Sequence, residues 1–197
     1  MKHLLLLLFS TALISHTANG QQQLSAADFL ELCDSVGLAF KMPKGYTRTD
    51  AKKNPDLGYC FAIRNEEQTM EIRYSIRLLQ PLFVQYEAAL SDSNTTMINP
   101  NQIYRSMMHA NVLNVTGGRW YQVMPFPSQA VQKEFNADAG GSCFVALDSE
   151  FGEGYDYAQL MYLHKDDLAD VYITFMSNDQ AAHPDLMLVG FHALRFR

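Results

Sequence analysis

Four groups of residues have the types and spacing that chemistry needs. His164 is followed by Asp166 and Asp167. A histidine beside two carboxylates is the raw material of a metal ligand set or of a general acid–base pair. The stretch Lys165-Asp166-Asp167 also fits the polar tip of a hairpin, and that plainer reading is favoured. Cys143 follows Gly140-Gly141-Ser142 and is the best placed of three cysteines for a nucleophile. A catalytic thiol needs a base and oxyanion donors. His109, His164, His183 and His192 are present, but no spacing brings one of them to it. With Phe144 and Val145 beside it, Cys143 reads better as a core residue. Asp148, Glu150, Glu153 and Asp156 place oxygens in a glycine-bearing stretch, but not at the spacing of an EF-hand loop. A solvated turn is preferred there, with Phe151, Tyr155 and Tyr157 as candidate walls of a ligand groove. Last, Glu71, Arg73, Ser75 and Arg77 alternate along one segment. Two arginines on one face can hold an anionic ligand or a partner. Against this stands an exposed strand face with weak cross-strand ion pairs. No G-x-S-x-G, phosphate-binding glycine loop, Rossmann fingerprint or H-E-x-x-H is present, so no catalytic residue, metal or cofactor is expected.

The chain around these residues has 197 positions, 48% hydrophobic, 12% aromatic and 18% charged, with formal net charge −6. That much apolar material excludes a disordered chain. The negative balance argues against a nucleic-acid partner, whose binding rests on Lys and Arg at phosphates. Met1-Lys2-His3, the apolar run Leu4 to Phe9, and Ala18-Asn19-Gly20 read as a secretory signal peptide over residues 1–20. The run is too short for a bilayer span of roughly 20 apolar residues. Residues 21–197 are then expected as a single α+β domain, secreted or periplasmic, with no membrane insertion of the mature chain. Export permits a disulfide. A Cys60–Cys143 bridge and three buried free thiols, with Cys33 the third, are both left open.

Ser25-Ala26-Ala27-Asp28 has the pattern of a capping box before a helix that Gly37 stops. Leu38 to Met42 alternates as a strand, and Tyr59 to Arg64 reads as another. Met70 to Leu78 alternates strictly, which predicts a strand with Met70, Ile72, Tyr74, Ile76 and Leu78 on a core and the charged face wet. Pro81 breaks it. A helix follows from Pro100 to about Leu113, with Asn99 as its cap. Trp120 to Met124 reads as a strand, and a helix starts at Ser128. Ser142 to Leu147 is strand-like, residues 148–156 are an acidic turn, and 158–176 form a hairpin. A last helix opens at Pro184-Asp185 and carries Leu186, Met187, Val189 and Leu194. The order predicts an α+β fold, a mostly antiparallel sheet covered by helices.

The opener Leu38-Ala39-Phe40-Lys41-Met42-Pro43-Lys44-Gly45-Tyr46, a hairpin, a central helix, further antiparallel strands and the apolar-basic end His192-Ala193-Leu194-Arg195-Phe196-Arg197 resemble the PsbP-like group. That fold includes the Mog-type proteins and a secreted bacterial branch. The resemblance implies an α/β/α sandwich over most of residues 36–197. Its members serve as photosystem subunits, nuclear-transport factors and secreted bacterial proteins, so it implies no shared activity and transfers no residue role.

The expectation is an exported, non-enzymatic binding or accessory domain. Its partner is a protein or small ligand of the envelope or extracellular space. Arg73, Arg77, Phe151, Tyr155, Tyr157 and His164 are its candidate contact residues. The alternative is a secreted hydrolase using residues near 143–167.

Overall fold

The computed structural model describes residues 23–50, 57–91 and 95–197. The expected signal peptide, residues 1–20, lies outside them. Helix α1 (Ala26–Ser35) starts as its sequence predicts: the Ser25 hydroxyl accepts from the Asp28 N–H at 3.2 Å and donates to its carboxylate at 2.7 Å. Strands β1 (Leu38–Phe40), β2 (Tyr46–Arg48), β3 (Phe61–Asn65) and β4 (Met70–Leu78) follow, then α2 (Gln80–Leu90), α3 (Tyr104–Val115), β5 (Met124–Pro125) and α4 (Ser128–Phe135). The chain closes with β6 (Ala139–Ala146), α5 (Ser149–Gly152), β7 (Tyr157–Lys165), β8 (Ala169–Ser177), α6 (His183–Gly190) and β9 (Leu194–Phe196).

Seven strands form an antiparallel sheet in the order β2-β3-β4-β8-β7-β6-β5, and β1 pairs with β9 as a separate ribbon. The fold is α+β with helices over an antiparallel sheet. Two apolar clusters lie on its two faces. One joins Met70, Ile72, Tyr74 and Ile76 of β4 to Phe29 of α1, Phe135 of α4, and Leu194 and Phe196 of β9. The other puts Tyr104, Met108, Val112 and Val115 of α3, with Phe151 of α5, on Cys143, Leu160, Tyr162 and Tyr172. No helix among the described residues is long and apolar enough to cross a membrane.

Several expectations are corrected. The charged face of β4 is not wet: Glu71, Arg73 and Ser75 are 2%, 4% and 8% exposed, and only Arg77 is partly open. Alternation identifies the strand, but Tyr59 and Phe151 lie over Arg73 and the Gly58 carbonyl accepts from the Ser75 hydroxyl, so the polar face is covered as well as the apolar one. Pro81 does more than break β4: it enters the first turn of α2, where its missing N–H costs nothing. Pro100–Gln102 is a separate 3₁₀ turn, and α3 starts at Tyr104, although Asn99 does cap the turn by accepting from the Asn101 N–H at 2.9 Å. The acidic stretch 148–156 contains α5, capped by the Asp148 carboxylate on the Glu150 N–H at 3.0 Å. The strand expected over Trp120 to Met124 is only Met124–Pro125. Leu194 belongs to a strand, not to the last helix: it pairs with Phe40. All three cysteines are free and buried, which closes the open question of a Cys60–Cys143 bridge.

Candidate functional site

The register of the large sheet sorts its inner polar residues into rows. Arg77 of β4 pairs with Asp170 of β8, which pairs with His164 of β7. Side chains on paired positions share a face. Asp170, fully buried, therefore faces Arg77 on one side and His164 on the other. Its Oδ2 accepts from Arg77 Nε at 3.0 Å, and its Oδ1 lies 2.6 Å from His164 Nδ1. The other ring nitrogen, Nε2, is 2.9 Å from Asp166 Oδ1. Tyr104 of α3 stacks on the imidazole, with centroids 4.2 Å apart and planes at 17°. Burial pulls the His164 pKa down, but hydrogen bonds from the protonated ring to the Asp170 and Asp166 carboxylates outweigh it and hold it above the ordinary histidine value. The hairpin tip is tied down too: Asp167 and Asn101 exchange hydrogen bonds at 2.9 and 3.0 Å. The row joins β4, β7, β8 and α3, and at its centre His164 and Asp170, 2% and 0% exposed, are closed to substrate.

Arg73 belongs to a second cluster. Glu71 takes Arg73 Nε on Oε1 at 2.6 Å and Arg64 Nη2 on Oε2 at 2.5 Å. The Arg73 guanidinium lies over Tyr59 at 4.6 Å and Phe151 at 5.7 Å. Glu153, held at φ +47, puts Oε2 3.7 Å from Arg73 Nη2, an ion-pair distance outside hydrogen-bond reach. Burial raises the Tyr155 pKa, with Glu71 adding to it and Arg64 opposing. Arg73, Phe151 and Tyr155 thus meet, and so do Arg77 and His164. Tyr157 stands apart, stacked on Phe144 at 5.9 Å.

Two side chains have the type of a nucleophile, Cys143 and Ser177. Cys143 is 4% exposed in the apolar cluster under α3, and burial pushes its thiol up to about 11. Its sulfur contacts only the carbonyl of Phe144, at 3.9 Å, among the described hydrogen bonds. Sequence spacing missed a serine–histidine pair: Ser177 Oγ lies 2.6 Å from His183 Nδ1. Both are buried, at 0% and 1%, and burial lowers the His183 pKa. A sealed pair cannot meet a substrate, so the hydrolase alternative gains no support from either residue.

Uncommitted charge lies elsewhere, over the β1–β9 ribbon. A cavity of about 440 Å³ is lined by Ala39, Phe40, Lys41, Lys133, Glu134, His192, Ala193 and Arg195. Ala39 pairs with Arg195, and the Lys41 N–H donates to the Ala193 carbonyl at 2.8 Å. The two-residue period of a strand sends Leu38, Leu194 and Phe196 to the core and Ala39, Lys41, Ala193 and Arg195 to the opposite face. Helix α4 supplies Lys133 and Glu134 as the other wall. Glu134 is engaged: its Oε2 is 2.9 Å from His192 Nε2. Lys41, Lys133 and Arg195 are exposed and form no salt bridge with another described residue. Sequence alternation could have grouped Lys41 with Ala39, but reading Leu194 as helical hid Arg195 from the same face.

No family model matches the chain, and no curated protein matches it. Among solved structures it is similar to the solution structure of cyanobacterial PsbP (CyanoP) from Synechocystis sp. PCC 6803, with 12% identity and a TM-score of 0.43. That likeness covers 93% of this chain and 95% of the other.

Proposed function

We propose that this chain is an exported, non-enzymatic binding domain whose cavity over the β1–β9 ribbon receives an anionic ligand. One observation carries the reading. In a chain of net charge −6, three cations without described carboxylate partners converge on one cavity of about 440 Å³. Pockets that bind small molecules run from about 300 to 1,000 Å³. Export is supported by the n-region, apolar run and small residues of positions 1–20. The location is then the periplasm or the extracellular space. Arg73, Arg77 and His164 serve this domain by fixing its sheet rather than by touching ligand, because their charges are met inside the fold.

The test is a ¹H–¹⁵N NMR titration with inorganic phosphate and with acetate at constant ionic strength. The amides of Lys41, Lys133, Ala193 and Arg195 should shift together and saturate. A Lys41→Glu, Arg195→Glu double variant should abolish that response with the spectrum of the core unchanged. Shifts scattered over the surface, or a response that survives the double variant, would sink the proposal.

A further inference from the structure

Resting on the anion-binding reading of the cavity, we infer that its ligand is a small molecule carrying two or more anionic groups. The placement of the cations points to this. Lys41 lies directly across the ribbon from Ala193, and Arg195 directly across from Ala39. Lys41 and Arg195 are therefore diagonal neighbours on one face, and such neighbours are separated by about 7–8 Å, with the Cβ atoms somewhat closer. The other two corners of this four-residue face are alanines, so no bulky side chain fills the space between the cations. Lys133 comes from α4, so a third cation reaches the same cavity from a separate element.

The cavity's one carboxylate does not neutralise the three cations. Glu134 is held by His192, whose ring stacks on Phe135 at 5.2 Å and 19° and meets Phe191 edge-on at 5.0 Å and 88°. That pair is fixed to one side by aromatic packing. Like charges gathered from two walls repel until anions come between them. A ligand with two or three anionic groups meets this arrangement charge for charge. The volume agrees: about 440 Å³ is far more than one oxyanion needs, given that a water occupies about 30 Å³ in the liquid. Carboxylates and phosphates share this chemistry.

Isothermal titration calorimetry on the purified chain at constant ionic strength separates the cases, with acetate, succinate and citrate as one series and inorganic phosphate and tripolyphosphate as the other. Affinity should rise by about tenfold from the first to the last member of at least one series, as added charge-assisted contacts require. The series that rises identifies carboxylate or phosphate as the source. Lys41→Ala and Arg195→Ala, both at exposed positions, should each cut the tightest affinity by about five- to tenfold and flatten that series. If acetate or phosphate binds as tightly as its multivalent relatives and both variants weaken it, the ligand is a single anion: the valence inference fails and the anion-binding reading stands. If no anion binds, or if neither variant matters, both fail.

Discussion

Asp170 Oδ1 lies 2.6 Å from His164 Nδ1, and the other oxygen of the same buried carboxylate takes Arg77. One carboxylate thus joins three strands, and the charge state of His164 is part of the fold. The folded-state pKa of His164 is raised above its ordinary value near 6.5, so the folded state binds its proton more tightly than the unfolded state does. The stability this supplies is complete below about pH 6.5 and is lost as pH rises through the raised folded value. Urea unfolding of wild type and His164→Gln across that range should show a gap that is largest on the acid side and narrows as pH rises. A gap that widened with pH would reverse the assignment.

Removing the shared carboxylate is expected to be severe. Asp170→Ala leaves Arg77 without its partner and His164 with only Asp166, and breaking a buried pair costs about 3–5 kcal/mol. Chemical denaturation measures this directly. A loss of under 1 kcal/mol would mean that water reaches the row.

Glu71 occupies the same kind of position between Arg64 and Arg73. Glu71→Gln should destabilise by about 3–5 kcal/mol, because Arg73 stays 4% exposed with only the more distant Glu153 carboxylate, at 3.7 Å, to answer its charge. A second change, Arg73→Met, should recover much of the loss, since apolar replacements for buried ion pairs are often neutral or stabilising. If the double variant is no better than Glu71→Gln alone, Arg73 contributes through its contacts over Tyr59 and Phe151 rather than through its ion pair with Glu71.

These rows explain what was readable in the sequence. The strict alternation from Met70 to Leu78 identified β4, and the run from 158 to 176 identified the β7–β8 hairpin. The same alternation suggested a wet face, because polarity every second residue looks alike whether water or an opposite charge answers it. Arg77 finds its partner on β8 and Glu71 finds Arg64 on β3 as well as Arg73 on β4, and nothing local to β4 announces the cross-strand partners. The cavity was hidden for a related reason. Lys41 and Arg195 meet only once β1 and β9, from opposite ends of the chain, pair. A three-residue strand has too short a period to be told from a helix end.

The cysteines give a chemical test of burial. Cys33, Cys60 and Cys143 are free, and desolvation pushes their thiols up to about 12, 11 and 11. At about pH 8 almost none of each is thiolate, the reactive form. The native protein should be unreactive to a thiol reagent over minutes, and denaturation without reductant should release three thiols per chain. Fewer than three would reveal a disulfide, and rapid native labelling at Cys143 would reopen the nucleophile reading.

At the edge of the sheet, Gly141 is held by lack of space. A Cβ there would sit 2.7 Å from the Met124 carbonyl oxygen and 2.8 Å from Tyr162 Cε1. The backbone contact cannot yield by rotating a side chain, so Gly141→Ala must push β5 away from β6. The expected cost is about 1–3 kcal/mol, the usual range for overpacking. It should be local. Phe126 N–H, bonded to the Gly140 carbonyl at 2.9 Å, should lose hydrogen-exchange protection, while the amides of β4 and β8 keep theirs. Unchanged protection at Phe126 would show that Tyr162 moves instead, and α3, which packs on Tyr162 through Tyr104 at 5.4 Å, would then register the change.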